Sequence, residues 1–128
     1  MRLLLDTHIL LWALVNDRRL SGEARALIND DRNELLFGAV SIAEVAVKHV
    51  LDRPNFRFAP EVVQRQLVHD GHIELPLTGD QAVVIKTLPR IHNDPFDRML
   101  IAQAGAEGVR LVSADGEVAR YGAVVLAV

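Results

Sequence analysis

Four acidic residues, Asp6, Glu44, Asp97 and Asp115, stand at the edges of apolar segments along a chain of 128 residues. Brought together they would offer only carboxylate oxygens. That donor set suits Mg2+, or Mn2+, in company with water and phosphate oxygens. A divalent ion held in this way can polarise a phosphodiester, generate hydroxide from water and stabilise the leaving oxygen. Two ions sharing such a cluster would lie ~3.5–4 Å apart, bridged by common carboxylates. Whether the four meet depends on the elements that carry them.

Short apolar runs alternate with amphipathic segments, which is the pattern of an α/β domain. Strands are expected at residues 2–5, 35–40, 73–75, 110–112 and 123–126. Helices are expected at 7–15, 21–29, 42–50, 60–69, from 78 or 79 to 88, and 95–107. Ser21 and Asp94 occupy N-cap positions, and Pro60 and Pro95 stand at first helical positions. Several strands are nearly all apolar, so the sheet of about five strands should be mostly parallel and buried on both faces. In an open sheet of that kind, sites form beyond the carboxyl ends of the strands, and the helix after a strand starts at the same edge. Asp6 directly follows the first strand, and Asp115 stands just past the strand at 110–112. Glu44 falls in the first turn of the helix after the second strand. Asp97 falls in the first turn of the helix that leads back into the strand at 110–112. One topology therefore gathers all four at one edge. No repeat or linker divides the chain, so residues 1–128 read as a single domain. The longest expected loop spans 51–58, with Pro54 and Asn55.

Each acid also has an ordinary structural explanation. Ser41 and Glu44 form a capping-box pattern, Ser-x-x-Glu. Yet Glu44 is flanked by Ile42, Ala43, Val45, Ala46 and Val47, so it should be partly buried and need a partner or a metal. Lys48, four residues on, can be that partner. Asp97 is favoured near a helix N-terminus by the dipole, Asp6 can cap the helix after the first strand, and Asp115 before Gly116 can be a turn residue. The metal reading rests on the four together. Other candidates carry less. His69 and His72 read as a helix end running into a loop, His8 as a packing or substrate-edge residue, and His92 as preceding the Asp94 cap without chemistry. Arg98 adjoins Asp97, where it could contact phosphate, tether an acid or simply pair at the surface. Trp12 reads as core or dimer interface. No Gly-x-Ser-x-Gly elbow, Walker loop or dinucleotide glycine fingerprint occurs. A phospho-receiver reading fails because the third strand is followed by Pro76-Leu77-Thr78 and no Lys follows Lys86.

The net charge of −3 argues against gripping nucleic acid by bulk electrostatics, although bound metal would offset a local carboxylate excess. The chain has no cysteine, which excludes disulfides, thiolate metal sites and cysteine catalysis. Asp6 and His8 interrupt the apolar start, so neither a signal peptide nor a membrane span is expected, and a cytoplasmic location fits.

The strings themselves carry a resemblance. Leu3-Leu4-Leu5-Asp6-Thr7-His8 looks like the opening of a PIN-domain protein. His92-Asn93-Asp94-Pro95-Phe96-Asp97-Arg98-Met99-Leu100-Ile101-Ala102-Gln103-Ala104 resembles the VapC-type toxins of type II toxin–antitoxin pairs. The strings from Ser41 to Lys48 and from Leu111 to Asp115 complete the set in order. The resemblance covers essentially the whole chain. It implies a three-layer α/β/α fold, Mg2+-dependent endoribonuclease activity with Mn2+ as an alternative ion, a homodimer and inhibition by a cognate antitoxin. Carried over by position, the catalytic and metal-binding acids are Asp6, Glu44, Asp97 and Asp115, with Thr7 and Ser113 as hydroxyl helpers. Two positions depart from the subgroup. Ala43 stands where a bulky aromatic is common, and Ser113 where Thr is common. The competing reading is a PIN-like module that binds metal, RNA or protein without cleaving.

Overall fold

The computed structural model describes residues 1–51 and 56–128. The chain runs β1 (Arg2–Leu5), α1 (Thr7–Leu14), α2 (Gly22–Asn29), β2 (Glu34–Gly38), α3 (Ala39–Val50), α4 (Pro60–His69), β3 (Ile73–Leu75), α5 (Gly79–Val84), a 3-10 turn (Ile85–Thr87), α6 (Pro95–Glu107), β4 (Arg110–Ser113), α7 (Gly116–Ala119) and β5 (Val125–Ala127). The five strands form one sheet in the order β3-β2-β1-β4-β5, and every neighbouring pair is parallel.

Side-chain alternation along β1 divides the core. Leu3 and Leu5 pack on one face with Ile9, Leu10, Phe37, Val45, Val63 and Leu67. Leu4 packs on the other with Leu36, Leu75, Leu100, Ile101, Ala104 and Leu111. The result is three layers, with α1 and α4 against one face and α6 against the other. All three leucines of β1 are fully buried, which is why this strand carries no polar alternation.

The order of strands places the functional edge. From β1 the chain winds outward through β2 and β3, then returns to add β4 and β5 on the opposite side. The reversal lies between β1 and β4, whose carboxyl ends lead into Asp6 and Asp115. In open α/β sheets that crevice is where ligands bind.

The bounds differ from the sequence-based expectation at the second strand. β2 ends at Gly38 and α3 begins at Ala39, with Gly38 as N-cap and no side-chain cap. The Ser41–Glu44 capping box therefore does not form, and Glu44 lies in the second turn rather than the first. Gly38 is needed there: a Cβ would stand 2.6 Å from Gln103 Oε1 and 3.1 Å from Leu100 Cδ2. Gln103 cannot easily yield, because it is fully buried and its Nε2 donates to Leu75 O and Pro76 O, both at 3.1 Å. Gly38→Ala should cost about 1–3 kcal/mol as an overpacked core substitution, measurable as a lower urea midpoint at unchanged slope. The helix expected up to residue 88 stops at Val84 and tightens into the 3-10 turn. Of the loop expected over 51–58, residues 52–55 lie outside the described ones.

Candidate metal centre

Each acid is delivered by backbone geometry. Asp6 leaves β1 in extended conformation and caps α1, accepting the Ile9 amide at 3.0 Å on Oδ1. Its own amide donates to Val112 O at 3.1 Å, which ties the end of β1 to β4. Asp6 is 4% exposed. Burial raises its pKa above the usual carboxylate range, against the hydrogen bonds from Ser113 and Ile9 and the charge of His8, and the neighbouring charge of Glu44 adds to the rise.

Glu44 is buried at 2% exposure. Lys48 Nζ donates to its Oε2 at 2.6 Å, one helical turn on. Its Oε1 is buried with no hydrogen-bond partner among the described residues. A buried carboxylate oxygen left without a donor is costly, and a cation is the natural answer to it.

Asp97 sits at the third position of α6, where its amide donates to Oδ1 of the Asp94 cap at 3.0 Å. Its pKa is pushed up to about 6. Burial is the largest cause, reinforced by the charges of Asp94, Asp6 and Glu44, and together these outweigh the lowering by a hydrogen bond from His92. That mutual influence places Asp6, Glu44 and Asp97 in one electrostatic neighbourhood. Asp115 caps α7 after β4, accepting the Glu117 and Val118 amides at 2.7 and 3.2 Å on Oδ1. One donor atom each from His92, Asp97 and Asp115 lies within 4.8 Å of the others.

The family profile of the PIN domain matches residues 3–124, from β1 up to the approach to β5. The chain is a PIN domain. No curated protein sequence matches it. Among solved structures the fold is similar to VapBC2 from Rickettsia felis, bound to a DNA fragment from its promoter. The TM-score is 0.68 at 15% identity, over 100% of this chain and 98% of that one. It is also similar to a toxin–antitoxin complex from Klebsiella pneumoniae, with TM-score 0.65 and 19% identity over 96% and 94% of the two chains. FitAcB from Neisseria gonorrhoeae aligns with TM-score 0.62 and 17% identity over 97% and 96%.

Around the acids of this PIN domain, the polar residues take distinct parts. Ser113 is fully buried and accepts the Asp115 amide at 3.1 Å on its hydroxyl oxygen, and it lies close enough to Asp6 to lower that acid's pKa. Thr7 is buried, but its hydroxyl donates to Ser41 Oγ at 2.9 Å and so braces α1 against α3.

Arg98 does not act as the phosphate contact or acid tether that its place beside Asp97 suggests. Its guanidinium donates to the carbonyls of Pro89 at 2.9 Å and Ile85 at 3.1 Å and to Tyr121 Oη at 3.0 Å, with longer contacts to His92 O and Leu88 O. Five neutral acceptors consume the donors of one cation. Tyr121 Oη in turn donates to Pro89 O and accepts the His92 amide. Arg98 thus pins the segment that leads into α6. Arg98→Ala should strand these carbonyls and cost about 2–4 kcal/mol, since hydrogen bonds to a charged group are worth ~1.5–3 kcal/mol each before relaxation. Hydrogen exchange should show the loss first at residues 85–92.

His92 is the residue that sequence reasoning passed over. Its Nε2 lies 2.7 Å from Asp97 Oδ2. Burial disfavours the charged ring, but the hydrogen bond to Asp97 and the charges of Asp97, Asp115 and Asp94 prevail and raise its pKa. The only signal in the sequence is its position five residues before Asp97, across the bend at Pro95. That spacing matches no helical face. His69 and His72 join no metal-competent group among the described residues. His8 stacks on Trp12 with ring centroids 5.7 Å apart, and Arg19 lies over the indole at 5.2 Å, so Trp12 is a packed aromatic rather than an isolated one.

Proposed function

We propose that this PIN domain is a divalent-metal-dependent endoribonuclease and the toxin of a toxin–antitoxin pair. The observation that supports the reading is the proximity of Asp97 and Asp115 past the end of β4, with the charges of Asp6 and Glu44 acting on Asp97 and with Glu44 Oε1 buried and unpartnered among the described residues. The donor set fits a hard cation: its four carboxylates provide oxygen ligands, and two of them, Asp6 and Asp97, hold raised pKa values that a cation would reverse. Such oxygen donors take Mg2+ or Mn2+. A bound ion of this kind supplies the charge that activates water and stabilises a phosphodiester under attack.

The chain's own residues do the positioning. Capping bonds from Ile9 to Asp6, and from Glu117 and Val118 to Asp115, fix two carboxylates against helix N-termini, so little reorganisation is needed when substrate arrives. Lys48 holds one oxygen of Glu44 and leaves the other for the cation. Ser113 holds the Asp115 amide at the end of β4.

The partner reading is supported by fold similarity to a toxin–antitoxin complex from Klebsiella pneumoniae. A cognate antitoxin would inhibit by covering the acidic crevice, and an arginine is a fitting occupant because it can bind carboxylates bidentately. We take the active species to be a homodimer. Among the described residues no helix is long and apolar enough to cross a membrane, and we place the protein in the cytoplasm. The toxin role is tested by induced expression in a bacterium without the antitoxin. Growth arrest by the wild type, absent with Asp97→Asn at equal protein level, is the expected result. Unimpaired growth with soluble, folded wild-type protein would remove the toxin assignment.

A further inference from the structure

We propose that His92 is a nitrogen ligand of this metal centre, forming with Asp97 and Asp115 a mixed face that favours Mn2+ over Mg2+. The inference rests on the metal-dependent reading above and sharpens it, because four carboxylates alone carry no such preference.

The geometry is specific. His92 Nε2, Asp97 and Asp115 each offer a donor atom within 4.8 Å of the other two. Nε2 stands 2.7 Å from Asp97 Oδ2. Cis donors on an octahedral ion at ~2.1 Å stand about 3 Å apart, so a cation can replace the proton between these two atoms with little movement. Side-chain exposures of 20% for His92 and 18% for Asp97 leave the pair sheltered yet reachable.

The backbone of His92 is also held. The His92 amide donates to Tyr121 Oη at 3.1 Å, and Tyr121 is fixed by Arg98, the residue after Asp97 on α6. His92 and its acid are therefore anchored through one framework. Glu44, whose charge also acts on Asp97, has a buried Oε1 with no hydrogen-bond partner among the described residues, a further oxygen that a cation near these acids would satisfy.

The chemistry of the donor sets the preference. Mg2+ takes oxygen ligands and keeps its waters, whereas first-row transition ions accept imidazole readily. A histidine in the coordination sphere raises affinity for Mn2+ and does little for Mg2+.

Pulsed electron paramagnetic resonance on the full chain loaded with Mn2+ tests this directly. The wild type should give the 14N modulation of a coordinated imidazole, and His92→Gln should lose it while still binding Mn2+. Competition titrations should show the Mn2+-over-Mg2+ preference falling roughly tenfold or more in His92→Gln, with Mg2+ affinity little changed. Bound Mn2+ without 14N coupling in the wild type, or coupling that persists in His92→Gln, would overturn the assignment and leave the all-carboxylate centre standing. Failure of the wild type to bind Mn2+ at all would overturn both.

Discussion

Asp6→Asn should stabilise the metal-free protein at neutral pH and abolish cleavage at once. Asp6 is 4% exposed, and burial raises its pKa. Asn keeps the cap, since it accepts the Ile9 amide as well as Asp does, and it removes a buried charge next to Glu44. The gain should be about 1 kcal/mol or more, or ~3–5 °C in Tm for a domain of this size. The cost falls on activity. Outer-shell partners of a metal are themselves worth about 10–100-fold, so loss of a ligand should exceed a hundredfold.

The sign with pH follows from the raised pKa values. Asp6 and Asp97 have folded-state values above the ordinary 3.8, with Asp97 at about 6. Such groups favour the fold while protonated, and that contribution is lost as pH rises through the folded-state pKa. The metal-free protein should therefore lose stability from these groups between about pH 4 and pH 6, and less so in Asp6→Asn. Metal affinity should run the other way and weaken below about pH 6, because ligands must be deprotonated. Thermal unfolding against pH, with and without Mg2+, checks both slopes. Parallel slopes would contradict the placement of the cation at these acids.

The second large effect concerns Lys48. Among the described residues Lys48→Met leaves Glu44 buried with neither oxygen partnered, since Oε1 already has no donor and Lys48 is the partner of Oε2. Breaking a buried pair by removing one member costs about 3–5 kcal/mol. The Lys48 side chain is 25% exposed, so water offsets part of this and the lower end of the range is expected. Glu44→Gln in the Lys48→Met background should recover most of the loss, because the uncompensated charge is then gone. Mg2+ should stabilise Lys48→Met more than the wild type, the cation taking over the task of the missing ammonium. Denaturant melts of the single and double mutants, with and without Mg2+, measure each term. Equal metal stabilisation in both backgrounds would place the cation away from Glu44.

What could be read from residues alone was set by signal strength. β1 is one short apolar run, and α6 is announced by Asp94 and Pro95, so both were placed with matching bounds. The parallel sheet followed from nearly continuous apolar strands, and with it the edge that holds the acids. The β2–α3 boundary was missed because Phe37-Gly38-Ala39-Val40 continues one apolar run. The turn depends on Gly38 fitting beneath Gln103, a tertiary fact with no local mark. α7 was missed because a helix of four residues behind Asp115-Gly116 reads as a turn. β5 lies at Val125–Ala127 rather than 123–126, since the closing segment is uniformly apolar and its register is set by pairing with β4. The places of Asp6, Asp97 and Asp115 were legible because strand ends and helix starts share an edge, whereas Glu44 lies one turn further into α3 than expected. His92 and the tethering by Arg98 were not legible, because both depend on how residues 85–92 fold back over α6.

The most direct measurement is cleavage of cellular RNA by the purified chain in Mg2+, in Mn2+ and in EDTA, beside Asp6→Asn and Asp97→Asn. Cuts at discrete positions should appear with either metal and vanish with EDTA or with either substitution, while circular dichroism shows the fold intact. Equal cleavage in EDTA, or undiminished cleavage by both folded variants, would contradict a metal-dependent centre built from these acids.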